Sequence, residues 1–458
     1  MRRRTTLCGS VLAALLAATP VAAPAHAAPA MTVPAAQAPA APAPVAQAPA
    51  ETAAGQLRWV LAASGRVPVP ADEQTAHLSQ SVLAAVGGPQ GFNDTLAALG
   101  PLTLEGMVSE SPGYVQATVR HTGGLLTVVV QADGAGLIAL LLFLPYTPDP
   151  RSWAEVDEQL RALAPQASFV SAVIGADGRC RTVHGVAEDT QRPLASAFKL
   201  YVLGALGRAV AQGRARWDEP LAVRDDWKSV PSGRLQDAPA GTVLPLRRYA
   251  ELMISISDNT ATDHLIHRLG RAEVQAEFAR FGNRRPAANT PLPTTRNVFT
   301  LKGVHYPAAA DGWLKLPRPL RAAALPVLDR VPLSRIQPFP EPRMIEKIEW
   351  FGSPTDMCRA FAGLARQHTD PALSPVGGAL SINDGAIGLD RSRYPTVWFK
   401  GGSEPGVLTL NHLARTAAGE TVVSSVMLAD PDNALDDPAV QIRATAIARA
   451  AIHLATAP

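Results

Sequence analysis

The spacing of hydrophobic positions changes part-way between residues 54 and 147. Helical periodicity comes first, over Gln56–Ser64, Asp72–Val86 and Gly91–Leu99. Four strand-like runs follow, Leu102–Glu110, Tyr114–Thr122, Leu125–Gln131 and Leu137–Tyr146, separated by Ser-Pro-Gly, Gly-Gly and Asp-Gly-Ala-Gly turns. Helices followed by a strand meander predict a small α+β domain whose helices lie over an antiparallel sheet. The wholly apolar run Leu137–Leu144 is far too short to cross a bilayer, so it is expected to be a buried strand.

A second unit begins after Pro148 and Pro150. An amphipathic helix over Trp153–Leu163 leads into strands Phe169–Ile174 and Arg181–Val186, and a long helical middle section follows. Strands at Thr396–Lys400, Val407–Ala414 and Thr421–Leu428 and a helix over Pro438–Ala455 close the chain. Strands at both ends with helices between them predict one sheet built from the two ends of the unit and a helical insertion, again α+β. Upstream, residues 28–53 are almost wholly Ala, Pro, Gln and Val, too poor in large apolar side chains to form a core, and are expected to form an extended tether. Met1–Ala27 has an Arg cluster, an apolar stretch over Leu7–Ala18 and the small-residue sequence Ala25-His26-Ala27, the pattern of a secretory signal cleaved after Ala27. The expected division is therefore 1–27 signal, 28–53 tether, 54–147 small α+β domain and 148–458 main domain, in a secreted protein.

Charge narrows the partners. The net charge of +3 comes wholly from Arg2, Arg3 and Arg4, so the expected mature chain is neutral. A neutral chain has no general attraction for phosphate backbones or anionic lipid, and neither nucleic acid nor an integral membrane span is expected. Cys8 stands near the start of the apolar stretch rather than at its end, the wrong place for a lipid-modified cysteine. Cys180 and Cys358 either pair outside the cytoplasm or remain two separate buried thiols.

Candidate chemistry begins at Ser196-Ala197-Phe198-Lys199, which opens the apolar run Leu200–Val210. A serine hydroxyl needs a group to take its proton, and a lysine three residues on along a helix brings an amine to the same face. Burial and a second cation, for which Lys400 is the candidate, would lower the Lys199 pKa enough for it to act as a base. With six lysines and 22 serines, this spacing arises by chance about 0.3 times, so it is weak alone. Ser257-Asp258-Asn259 ends the helix-like stretch Tyr249–Ile256, and Lys400-Gly401-Gly402-Ser403 follows the strand-like Val397-Trp398-Phe399. The glycines there let a substrate backbone lie against a sheet edge. His264 and His267 with Asp263 read as a helix face rather than ligands, and no metal or cofactor is expected. Ser381-Ile382-Asn383 repeats the Ser-x-Asn pattern without evident purpose.

The three motifs, in this order, resemble the signature of class A β-lactamases and low-molecular-mass penicillin-binding proteins, S-x-x-K, S-D-N and K-T-G. Trp398-Phe399-Lys400-Gly401-Gly402-Ser403-Glu404-Pro405-Gly406 and the preceding α+β domain are more narrowly similar to the two-domain actinobacterial serine hydrolases of the clavulanic-acid-cluster type. That resemblance implies a β-lactamase-like domain preceded by a steroid-isomerase-like or cystatin-like cone. By position it implies acylation of Ser196, proton acceptance by Lys199, proton transfer through Ser257 aided by Lys400, and a substrate carbonyl held by Asn259. Gly401 and Gly402 would flank the substrate, and the N–H groups of Ser196 and Ser403 would bind the oxyanion.

Two departures matter. Gly401 stands where relatives keep a hydroxyl that binds the β-lactam carboxylate, and no acid occurs between Glu277 and Asp311, where a class A enzyme would place its deacylating Glu. The resemblance then implies weak esterase or slow β-lactam-hydrolysing activity on a small-molecule ester, amide or β-lactam. The alternatives are a D,D-peptidase acting on cell-wall peptides and a non-catalytic ligand-binding protein on the same fold.

Overall fold

The computed structural model describes residues 52–457. The expected signal segment, and all of the expected tether except Thr52 and Ala53, lie outside them. The described residues divide into two compact units, with the boundary between Thr147 and Pro148.

In the first unit, α1 (Ala53–Ser64), α2 (Ala71–His77), α3 (Gln80–Ala85) and α4 (Gly88–Leu99) precede β1 (Thr103–Ser111), β2 (Tyr114–His121), β3 (Gly124–Ala132) and β4 (Ile138–Pro145). The strands form an antiparallel meander in the order β1-β2-β3-β4. Helix α1 starts one residue inside the expected tether, because the Thr52 hydroxyl accepts the Gly55 N–H and caps it. The single helix expected over Asp72–Val86 is two. Leu78 is extended and bridges to Ile138, while the Ser79 hydroxyl accepts the Val82 N–H and starts α3 afresh. Trp59 anchors this core, stacked 4.3 Å from His77 and 5.8 Å from Phe92.

The second unit opens with α5 (Trp153–Arg161), β5 (Gln166–Ile174), β6 (Cys180–Val186) and the short β7 (Arg192–Pro193). A single 3-10 turn, Ala195–Phe198, leads into α6 (Lys199–Ala211). The hairpin β8 (Pro220–Ala222) and β9 (Val243–Pro245) precedes α7 (Leu246–Ser255), α8 (Asn259–Leu269), α9 (Arg271–Arg280), α10 (Thr295–Gly303), α11 (Ala308–Lys315) and α12 (Arg318–Leu328). Then come β10 (Phe351–Gly352), α13 (Pro354–His368), α14 (Ser374–Ser381), β11 (Thr396–Glu404), β12 (Val407–Arg415), β13 (Thr421–Ala429) and α15 (Pro438–Ala455).

The main sheet is antiparallel with order β11-β12-β13-β5-β6, so strands from both ends of the unit meet at β13 and β5. One face buries Phe169, Val422 and Val426 with Val156 of α5 and Ile447 and Ile452 of α15. The other buries Val170, Val423 and Met427 with Leu206 of α6 and Phe361 of α13. Covering both faces explains why β12 and β13 read as nearly unbroken buried runs rather than alternating ones. Each fully buried large apolar side chain stabilises the unit by roughly 1.5–3 kcal/mol. Strand β11 runs on to Glu404, so Lys400-Gly401-Gly402-Ser403 lies inside the strand rather than after it, paired to Asn411, Leu410, Thr409 and Leu408.

Cys180 and Cys358 form a disulfide across 178 residues of sequence, joining β6 to α13. Replacing both by serine is expected to lower the unfolding free energy by about 2–4 kcal/mol, because the unfolded chain regains that loop's freedom. Denaturant melts of the oxidised and double-serine proteins check this.

Candidate functional site

Ser196 sits on a turn held from two sides. The preceding Leu194 donates its N–H to Trp350 O at 2.8 Å, and the Phe198 ring stacks 3.7 Å from the Trp350 ring. Ala195 is left-handed, with φ 43°. Such a backbone costs about 1–3 kcal/mol in a residue with a Cβ, so tertiary contacts must hold it there. The Ala197 N–H closes the turn on Leu194 O. As second residue of the turn, Ser196 keeps its own N–H free of intrahelical bonding.

Lys199 begins α6 and is completely buried. Its Nζ lies 2.7 Å from Ser257 O, 2.7 Å from Asn259 Oδ1 and 3.0 Å from Ser257 Oγ. None of these contacts is to Ser196, so the spacing that suggested a direct pair instead places Lys199 against the Ser257 loop. Burial, and secondly the nearby charge of Lys400, push its pKa well below the ordinary lysine value. A neutral amine satisfies this set well. Its two N–H groups suit Ser257 O and Asn259 Oδ1, which only accept, and its lone pair suits the Ser257 hydroxyl, which can donate.

Ser257 occupies the bend between α7 and α8, also left-handed, with φ 57°. Asp258 shapes the bend, its carboxylate accepting the N–H groups of Ala261, Arg234 and Leu235. Ser232 Oγ donates to Ser257 O at 2.7 Å. Asn259 donates Nδ2 to Val230 O at 2.9 Å while its oxygen holds Lys199, so one amide N–H remains for the cleft.

Lys400 reaches the same hydroxyl from β11. Its Nζ lies 3.1 Å from Ser257 Oγ, and it also donates to Gly401 O at 2.5 Å. Burial brings its pKa down to about 7. Asn411 fixes the strand here by donating to Lys400 O, and its own oxygen accepts from Ser425 Oγ. Gly402 packs directly on the serine turn. A Cβ there would press on Leu194 O and lie within 2.8 Å of the Ser196 and Ala197 nitrogens.

These groups line one cleft of about 390 Å³, with Ser196, Ser257, Asn259, Lys400, Gly401, Gly402 and Ser403 all on its wall. Lys199 lies beneath it, bonded to Ser257 and Asn259. The wall also includes Phe299, Asn383, Phe399 and Gln441, which the sequence reading did not select. Asn383 belongs to the Ser-x-Asn repeat read above as purposeless; its Nδ2 bonds Ser255 O beside the Ser257 bend. Phe399 adjoins Lys400 in sequence, whereas Phe299 and Gln441 carried no local signal. The Phe399 ring lies tilted against His412, centroids 4.6 Å apart, and occupies space beside Gly401, where a Cβ would come within 2.8 Å of it. No Asp or Glu lines the cleft.

His264 is engaged within the fold through its whole ring. His264 Nδ1 lies 2.7 Å from Thr260 O and its Nε2 accepts the Arg224 N–H, so both ring nitrogens are used. Among the described residues no cluster of potential metal ligands occurs.

Residues 155–374 match the profile of the Beta-lactamase enzyme family. The matched span contains Ser196, Lys199, Ser257 and Asn259, while Lys400 lies beyond it. Solved structures similar to the chain include a beta-lactamase from Sphaerobacter thermophilus DSM 20745, at 21% identity, with 67% of this chain and 98% of that one covered and a TM-score of 0.47. Another is PBP-A, at 20% identity, with 68% and 98% covered and a TM-score of 0.46. No curated protein is significantly similar to the chain.

Two expectations follow. Gly402→Ala should all but abolish labelling of Ser196 by an activated ester, because either the strand or the turn has to move; intact-mass kinetics read this. Lys400 is protonated below about 7 and loses its charge above it, so labelling that draws on the Lys400–Ser257 bond should fall as pH rises through about 7. In Lys400→Arg, whose guanidinium stays charged, that descending limb should disappear from the pH profile.

Proposed function

We propose that the protein is an exported serine hydrolase that forms an acyl-enzyme on Ser196 and turns over esters in preference to β-lactams. The observation that carries this is the meeting of two depressed lysines on one hydroxyl, Ser257 Oγ, at the wall of the cleft that Ser196 lines. A purely binding cleft has no need of two buried amines tuned toward neutrality.

In the proposed acylation, Ser196 Oγ forms a bond to the substrate carbonyl carbon and its proton passes to the Lys199 amine. The carbonyl oxygen gains negative charge and is stabilised by the N–H groups of Ser196 and Ser403, each donor contributing about 3–4 kcal/mol in comparable sites. The leaving group departs with the Ser257 proton, and Lys199 returns a proton to Ser257, so the balance closes. Deacylation repeats the sequence with water as nucleophile. With no carboxylate on the cleft wall to activate that water, this second half is expected to be slow.

The wall chemistry favours an uncharged substrate. Among the described residues Lys400 is the only ionisable side chain lining the cleft, and its amine is engaged by Ser257 Oγ and Gly401 O. D-Ala-D-Ala peptides and β-lactams both carry a carboxylate near the reacting carbonyl, and Gly401 supplies no hydroxyl for it. Export is supported by the signal-like N-terminus and by the Cys180–Cys358 bridge, which is stable in an oxidising compartment.

Mass spectrometry after exposure to p-nitrophenyl esters, a cephalosporin and a D-Ala-D-Ala peptide tests the reading. An acyl mass on Ser196 is expected, absent in Ser196→Ala, with ester turnover at least about tenfold above the cephalosporin's. No adduct and no turnover with any of the three would sink it.

A further inference from the structure

A second buried ionic cluster is bonded to the serine turn at Ala195. Glu349 Oε2 accepts the N–H groups of Ala195 and Trp350, both at 3.1 Å. Its other oxygen is 3.4 Å from Lys302 Nζ, and Lys302 in turn lies 2.5 Å from Glu404 Oε1. The side chains of Lys302, Glu349 and Glu404 are 0%, 2% and 4% exposed. Three ionisable groups at that depth are costly to keep without a use, and one lysine cannot neutralise two carboxylates.

The cluster touches the chain at two telling places. Ala195 is the left-handed residue immediately before Ser196, and Glu404 is the residue immediately after Ser403. Those neighbours carry the two N–H groups assigned to the oxyanion, so this inference rests on the function proposed above. Ala195 packs with Ile345, Val407 and Ala429, which keeps the bonds between the turn and Glu349 out of water.

We propose that Glu349, Lys302 and Glu404 form a positioning triad that sets the separation and direction of the Ser196 and Ser403 N–H groups. Glu349 is the anion, since it receives two backbone N–H bonds and the Lys302 ammonium. Glu404 is the neutral acid: its Oε2 is buried without an acceptor-type partner, and burial beside Glu349 raises its pKa well above the carboxylate range. A proton on Glu404, directed toward Glu349, gives that oxygen a bond and leaves the triad with no net charge. Neutrality matters here, because a surplus negative charge beside the turn would oppose the charge that develops on the carbonyl oxygen. Neither lysine of the cleft contributes to these contacts; Lys302 is the only cation bonded to the two acids.

Hydrogen exchange and acylation kinetics of Glu349→Ala, Glu349→Gln, Glu404→Ala and the double alanine variant test the triad. In E349A the Ala195 amide should exchange at least about tenfold faster while α6 keeps its protection, and kcat for a p-nitrophenyl ester should fall about 100-fold with KM unchanged. E349Q, which keeps an acceptor oxygen, should recover about tenfold of that loss, and it serves as the test variant if E349A does not fold. The double variant should be no worse than E349A alone, since the acids act as one unit. Unchanged Ala195 exchange in E349A and E349Q, or wild-type kcat in both, overturns the proposal. Faster Ala195 exchange in a protein whose wild type never acylates Ser196 supports the triad's hold on the turn and overturns only the enzymatic reading.

Discussion

A single buried amine organises the main unit. Lys199 is fully buried, and its stability there depends on three polar atoms supplied by the Ser257 bend at 2.7–3.0 Å. An unpaired amine in that position would cost several kcal/mol, which makes the bend and the start of α6 mutually dependent. The left-handed Ser257 and the caps made by Asp258 follow from the same requirement, because only that bend turns both Ser257 O and Asn259 Oδ1 toward the amine. Lys400 then completes the arrangement from the sheet, 143 residues later, by sharing the Ser257 hydroxyl. Burial depresses the proton affinity of both amines, and the nearby charge of Lys400 lowers that of Lys199 further.

The sheet is what makes this convergence possible. Strands β5 and β6 carry the chain toward the serine turn, and β11 brings Lys400 and Gly402 alongside it, although more than 200 residues separate them. The glycine at 402 is a steric condition rather than a loop signal: the strand passes so near the turn that a Cβ has nowhere to go. A site assembled this way is rigid on the sheet side and on the α6 side. The cleft wall also includes Phe399 of β11, Phe299 of α10 and Gln441 of α15.

Much of the fold and the central residues were legible because they leave local signals. Helical and strand periods marked α1, α4, α5, α15 and all four strands of the first unit's meander, and turn residues marked their ends. The break of the second helix at Leu78–Ser79 was less visible, since it depends on Leu78 pairing with Ile138, far along the chain. Ser196, Lys199, Ser257 and Lys400 stood out as three short motifs in a set order, the first spaced as a helix turn requires to put two side chains on one face.

What the sequence alone determined, then, was element type, order and which candidate side chains to follow, all consequences of short-range geometry. Only the tertiary structure decided which partner each group has. It gave Lys199 to Ser257 and Asn259 rather than to Ser196, joined Cys180 to Cys358, drew Asn383 into the cleft wall, and placed Glu349, Lys302 and Glu404 beside the turn. Those pairings join residues tens to hundreds of positions apart. They are settled by the need to satisfy buried polar groups once the sheet has closed, which no spacing rule records.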